Sequence, residues 1–385
     1  MARRKFATLK SFLNYIGVEG DRTIFTWVSA SEGDRWAQVI KGVTEKVKAM
    51  GPAGKLVKKE AKRLLLEKKA DVIIGYEKGT LPLTATPCFI TAPEEADKLV
   101  WNNLCTQNLA KYVHDLITAH KNSQKRVKPE DRKKKVIGVV ARGCTTRSLI
   151  IHLQERQYGR DEIYIIGVPC DGYVDGKGLK VAIGGADIVD GSLDGGQIKM
   201  KTSDGDKTVA LKDVLADCCK TCRFNNPIIS DVMVGQNAPA MNPDAEYNEV
   251  KEFEGKPIEE RWAYFIKEMD KCMRCNACRQ ACPSCYCPTC FVEQSQPQWV
   301  GIGEDKADTQ VFQFMRLYHM VGRCVDCGSC VSVCPMGVDL RKFLKKIDKD
   351  GWEMFGSRAG SSMEDMPPLG KYDEHHDKGD FVYNP

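Results

Sequence analysis

A chain of 385 residues with 42% apolar content is long enough for two or three domains with packed cores, which excludes a disordered protein. The net charge of +5 is mild and lacks the interleaved aromatics of a nucleic-acid surface, so no nucleic-acid partner is expected. No run of about 18 apolar residues occurs and no apolar stretch follows Met1–Lys5, so neither a transmembrane helix nor a secretory or twin-arginine signal is expected, and the chain is placed in the cytoplasm. Eighteen cysteines, many at gaps of two or three residues, then argue for metal ligation rather than a disulfide framework.

Residues 1–60 are basic and hold one amphipathic helix, with Trp36, Val39, Ile40, Val43 and Val47 at helical spacing. Ala70–Tyr76 reads as a buried strand, Leu81–Leu83 and Pro87-Cys88 as loop, and 101–120 as a helix. Lys125–Lys135 is a charged, exposed linker. A strand at Val136–Val140, a turn at Arg142–Ser148, a helix at Leu149–Gln157 and a strand at Tyr164–Val168 form a βαβ unit. The fold class expected for 61–240 is therefore an α/β domain with a mostly parallel sheet. Ligands of such sheets sit beyond the C-terminal strand ends, where Cys144 and Cys170 fall.

Further along, Ile198–Thr202 and Lys207–Leu211 predict a β-hairpin, and Ile228–Val234 another strand. Residues 236–257 read as a polar linker. Amphipathic helices are expected at Ile258–Asp270 and Asp308–Val321, within a helical dicluster domain over 258–350. The polar residues 356–385, with His375-His376, read as a flexible or partner-wrapping tail.

Chemistry concentrates in 272–334, where two C-x2-C-x2-C-x3-C-P runs occur: Cys272, Cys275, Cys278 and Cys282 before Pro283, then Cys324, Cys327, Cys330 and Cys334 before Pro335. Three closely spaced thiolates hold one corner of a [4Fe–4S] cube and the cysteine before proline serves the other cube. One cluster accordingly takes Cys272, Cys275, Cys278 and Cys334, the other Cys324, Cys327, Cys330 and Cys282. A third cube is expected on Cys144, Cys170, Cys219 and Cys222; preferring Cys219 over Cys218 rests only on C-x2-C spacing, and the alternative is a set of scattered buried thiols.

Cys285, Cys287 and Cys290 stay open between a fourth cluster, a zinc site closed by Cys88 or Cys105, and unligated thiols shielding a cube. His319 reads as a packed histidine. Gly143, Thr145, Thr146, Arg147 and Ser148 open a helix after a strand, which suits a flavin phosphate or ribityl chain, or else an ordinary N-cap. No G-x-G-x-x-G, Walker loop, H-E-x-x-H or Ser–His–Asp arrangement stands out.

Gly167-Val-Pro-Cys-Asp-Gly172, Cys219-x-x-Cys222-Arg-Phe224 and Pro227–Gly235 together resemble the coenzyme F420 hydrogenase/dehydrogenase beta-subunit family, over roughly 135–235. The Cys282–Cys290 extension is similar to that of its formate dehydrogenase members. The resemblance implies an FAD-containing electron-transfer subunit with a [4Fe–4S] cluster, working inside a larger oxidoreductase complex; coenzyme F420 or NADH is the hydride partner to be expected if a flavin is bound. Its expected partners are hydrogenase, formate dehydrogenase or heterodisulfide-reductase-like subunits. The alternative class is a flavin-free, ferredoxin-like conduit between two enzymes; a zinc scaffold is the third.

Overall fold

The computed structural model describes residues 53–235, 237–238, 243–301, 303 and 305–370. The amphipathic helix expected at Trp36–Val47 lies outside these residues, as do His375 and His376.

Helix α1 (Ala53–Leu66) buries Val57, Ala61, Leu64 and Leu65, whose spacing puts them on one face. Strand β1 (Val72–Lys78) is buried through its first five residues. Beside it β2 (Ala85–Ile90) runs antiparallel, with Pro87 opposite Tyr76. A loop is expected there because proline disfavours a strand, but β2 is the sheet edge, where a missing N–H breaks no ladder. Helix α2 (Ala110–Ser123) starts nine residues later than the helix expected from 101. Asn102 and Asn108 hold the intervening chain in turns, their side-chain oxygens accepting from Leu104 N–H at 2.9 Å and Ala110 N–H at 3.1 Å.

The βαβ unit follows as β3 (Ile137–Ala141), α3 (Gly143–Gln154) and β4 (Ile163–Gly167). After α4 (Gly176–Ala182) comes a three-stranded antiparallel sheet of β5 (Ile188–Asp194), β6 (Gln197–Thr202) and β7 (Gly205–Ala210). The expected hairpin is β6–β7; β5 is half exposed and rich in Asp and Gly, so its sequence hides it. Helix α5 (Asp217–Lys220) precedes β8 (Val232–Met233), which completes a five-stranded sheet of order β2-β1-β3-β4-β8, parallel from β1 to β8. Only two of the residues expected in that last strand pair with β4, because the chain before them is tied to α3 by Ile228 N–H donating to Thr146 Oγ1 at 3.0 Å.

The remainder is helical: α6 (Asn248–Glu254), α7 (Ile258–Asp270), α8 (Ala277–Gln280), α9 (Lys306–Tyr318), α10 (Ser329–Ser332) and α11 (Leu340–Phe355). Met269, Leu317, Met320, Leu340 and Leu344 form its core together with Cys278, Cys330 and Cys334. Thiols thus replace much of the aliphatic filling.

The α/β part and the helical part are joined by Arg147 on α3. Its guanidinium donates to Ala359 O and Val325 O, both at 2.9 Å, and stacks over Phe224 at 4.1 Å. Residues 357–362 therefore pack on the chain's own core, although their polar composition reads as tail. A second tie is ionic. Glu246 meets Lys345 at 3.1 Å and Arg358 at 2.8 Å, and Lys345 also reaches Asp326 at 3.1 Å. Burial alone would raise the Glu246 carboxyl, but Lys345 and Arg358 outweigh it and hold it below the usual range. A depressed carboxylate stabilises the fold above the ordinary glutamate pKa of about 4.3 and loses that stabilisation as pH falls through its own lower value. Glu246→Gln is expected to cost about 3 kcal/mol of unfolding free energy at neutral pH. Denaturant titrations should show that gap narrowing below about pH 4; an equal gap at pH 3 and pH 7 would contradict the assignment.

Candidate metal centres

The two C-x2-C-x2-C runs fold alike. Arg274 and Asp326 stand at φ 51° and 53°, and two residues on, Asn276 and Gly328 stand at 60° and 71°. These left-handed positions fold each loop back on itself and turn peptide N–H groups toward sulfur, Arg274 N–H lying 3.4 Å from Cys272 Sγ. Short helices α8 and α10 then carry the third cysteine of each run. The fourth cysteine crosses over. Cys334 shares a cavity of about 340 Å³ with Cys272, Cys275 and Cys278, while Cys282 shares one of about 450 Å³ with Cys324, Cys327 and Cys330.

A third cavity, of about 370 Å³, lies beyond the C-terminal ends of β3 and β4 and brings together Cys144, Cys170, Cys218, Cys219 and Cys222. Cys144 is on the first turn of α3, Cys170 follows β4, and the other three come from α5 and the turn after it. Cys218 and Cys219 lie with their sulfurs 3.8 Å apart, but Cys218 Sγ already meets Tyr173 Oη at 3.3 Å. That contact leaves Cys219 the freer of the pair. Asp326 and Cys327 wall both this cavity and that of Cys282, so the two adjoin. At the boundary a Cβ on Gly328 would fall 2.3 Å from Tyr173 Oη and 2.6 Å from Cys218 Sγ, which only glycine avoids.

Cys285, Cys287 and Cys290 line a fourth cavity of about 480 Å³. Neither Cys88 nor Cys105 reaches it. Cys88 is buried on the edge strand β2, and the buried Cys105 thiol points to Val100 O and Asn102 Oδ1 at 3.9 and 3.8 Å.

The charge around these cavities decides what they suit. Arg142 walls the third cavity at 2% exposure, and its Nε has no partner among the described residues. Arg316 walls the Cys282 and Cys285 cavities at 3% exposure; Nη2 donates to Cys278 O at 2.9 Å, while Nε and Nη1 are unpartnered among the described residues. Neither cation has a carboxylate partner among the described ion pairs. A buried cation with idle donors is costly unless an anion faces it, and thiolate-bound iron–sulfur cubes are anions with sulfide acceptors. Burial pushes the Cys222, Cys327 and Cys330 thiols up to about 12, so uncomplexed they are neutral and inert, and binding iron releases their protons. These donor sets fit [4Fe–4S] clusters. Both arginines escape a reading centred on cysteine, yet Arg316 has a visible signal: it sits four residues from Phe312 and from Met320, on the buried face of α9.

The start of α3 does not fit a flavin. Thr145, Thr146, Arg147 and Ser148 are buried, and the side chains of Thr146, Arg147 and Ser148 bond within the chain. Thr146 Oγ1 donates to Gly143 O at 2.9 Å, Ser148 Oγ donates to Cys144 O at 3.1 Å and accepts from Asn108 Nδ2 at 3.0 Å, and Arg147 is held as described. Gly143 lies so close to the segment after Cys222 that a Cβ would stand 1.9 Å from Phe224 O. The backbone of Phe224 and Asn226 packs directly against this turn, in space that a bound group beside Gly143 would need.

Comparison with known proteins agrees with this picture. Residues 268–338 match the family model for a 4Fe-4S dicluster domain, and residues 1–51 match that for the methyl-viologen-reducing hydrogenase, delta subunit. Over 369 residues, 80% of this chain and 92% of the relative, it is 22% identical to the F420-dependent formate dehydrogenase subunit beta of Methanocaldococcus jannaschii. It is 23% identical over 380 residues, 83% of this chain and 94% of the relative, to F420-dependent formate dehydrogenase 1 subunit beta of Methanococcus maripaludis. A short match, 36% over 50 residues, covers 13% of this chain and 35% of an iron-sulfur subunit of the F420-non-reducing hydrogenase vhc from Methanococcus voltae. The resemblance to the beta-subunit family thus extends over four-fifths of the chain, and the C-terminal part carries a 4Fe-4S dicluster domain.

The crossover of the fourth cysteines makes a sharp prediction. Cys334→Ser should disturb the cube of Cys272, Cys275 and Cys278 and spare that of Cys324, Cys327 and Cys330, as followed by EPR of the reduced protein. Loss of the second-run signal instead would contradict the grouping.

Proposed function

We propose that this iron–sulfur protein, similar to formate dehydrogenase beta subunits, is the electron-relay subunit of a multi-subunit oxidoreductase. The observation that carries the reading is the continuity of its cysteine cavities. The Cys334 cavity leads through Arg316, which bonds Cys278 O, to the Cys282 cavity, and that cavity shares Asp326 and Cys327 with the third. Cubes in these places exchange single electrons, and the protein around them sets their potentials through buried charge and N–H donors. Cys144, Cys170, Cys219 and Cys222 would hold the cube nearest the α/β sheet, and the two ferredoxin quartets the others. The hydrogenase-type match of residues 1–51 and the formate dehydrogenase relatives make such enzymes, or a heterodisulfide-reductase-like subunit, the partners at either end.

The packed start of α3 favours a flavin-free conduit. A second reading is favoured by the names of the two long relatives: if coenzyme F420 or NADH is the donor, FAD is needed to convert a hydride into single electrons, and it would bind away from Gly143–Ser148. Acid release of cofactors from the anaerobically purified chain, incubated beforehand with excess FAD and desalted, separates the two. The conduit predicts no retained flavin and full reduction by dithionite, whereas FAD near one per chain would establish the second reading.

Arg316 offers a further check. Arg316→Met removes buried positive charge beside the cubes, and it is expected to lower a midpoint potential by roughly 60 mV, the equivalent of one charge-assisted hydrogen bond of about 1.4 kcal/mol. EPR-monitored redox titration measures this; an unchanged potential at unchanged iron content would remove Arg316 from the relay.

A further inference from the structure

We propose that Cys285, Cys287, Cys290 and His319 form a fourth [4Fe–4S] site, in which His319 supplies the ligand no cysteine is left to give. The inference rests on the reading of the other three cavities as cluster sites. All eighteen cysteines fall within the described residues. Eight form the two quartets, five line the third cavity, and Cys88 and Cys105 are buried elsewhere. The remaining three share one cavity. The imidazole of His319, at the C-terminal end of α9, lines that cavity with them and stacks edge-on to Phe291 at 5.4 Å.

The arrangement favours a cube over a zinc ion. Its four candidate ligands come from one short loop and from the end of α9. The fourth cavity, about 480 Å³, is also of the same order as the other three, at about 450, 370 and 340 Å³. Its wall includes Arg316, with Nε and Nη1 buried and unpartnered among the described residues, and Arg279, which pairs with Glu293 through both Nη atoms and keeps only Nε without a partner there. Positive donors aimed at the cavity suit an anionic cluster bearing sulfide acceptors better than a divalent cation.

The place of the site in the relay follows from its neighbours. Its wall shares Ser284, Arg316, Met320 and Arg323 with the Cys282 cavity. Cys287 and His319 are exposed. The fourth cube is therefore the surface terminus of the relay on this side, exchanging one electron at a time with the Cys282 cube and with a partner's redox centre. Imidazole in place of thiolate raises a cluster's potential, so this cube would act as the electron-accepting end.

The test is iron, sulfide and zinc analysis of the anaerobically purified full chain, with pulsed EPR for nitrogen coupling to a reduced cluster. Cys285→Ser combined with Cys287→Ser should lose about four irons and an equal amount of sulfide, with the signals of the other cubes retained. Wild-type protein should show an imidazole nitrogen coupling that His319→Cys abolishes while keeping its iron and lowering that cluster's potential. Loss of zinc instead of iron, unchanged iron in the double variant, or no nitrogen coupling in the wild type would each overturn the proposal while leaving the three-cube reading intact. Absence of inorganic sulfide from the wild type would overturn both.

Discussion

Two buried arginines without counter-ions among the described residues constrain this molecule more than any other feature. Arg142 donates through both Nη atoms to Cys105 O and Thr106 O at 2.6 Å, and Arg316 through Nη2 to Cys278 O at 2.9 Å, but Arg142 Nε and Arg316 Nε and Nη1 meet no acceptor among the described residues. Such placement costs several kcal/mol unless an anion is present. On the proposed reading thiolate-bound cubes would supply that charge, which would couple the fold to its metal content. The sheet, the short helices and the left-handed loop positions bring cysteines and arginines into the same cavities, and the core around Met269 and Leu344 is completed by sulfur.

The junction between the two parts of the chain carries the electronic argument. Gly328 lets the second ferredoxin loop lie directly against Tyr173 and Cys218, and Tyr173 Oη donates to Cys327 O at 2.9 Å. Arg147 and the Glu246–Lys345–Asp326 network fix that approach from either side. Bulk at Gly328 or loss of the Arg147 clamp would separate neighbouring cavities without touching a single ligand. Electron transfer is very sensitive to that separation, which gives a physical reason for so many buried ionic contacts around so short a boundary.

Much of this is legible in the residues alone. The ferredoxin runs announce themselves because ligand spacing within a loop is local, and Cys144 with Cys170 follows from strand ends in a parallel sheet. Sequence and structure part where tertiary contacts decide. Pro87 disguises an edge strand, and Asn102 and Asn108 delay α2 by turns that helical periodicity does not register. The start of α3 looks the same in sequence whether it faces a ligand or packs against its own chain; only the close approach of the Phe224 carbonyl to Gly143 shows the packing. Arg316 shows in the sequence only as a cation on an apolar helix face, and His319, which reads as packed, is exposed; the meaning of both depends on which cavity they line.

Spin–spin coupling between reduced clusters tests the central claim of one continuous relay most directly. Multifrequency EPR of the fully reduced chain should show broadened, mutually interacting signals that include the cube of Cys144, Cys170, Cys219 and Cys222. Cys222→Ser should simplify the spectrum by removing one interacting partner. Isolated, field-independent cluster signals unchanged by Cys222→Ser would contradict the account, because the cavity at the end of the sheet would then hold no member of the relay.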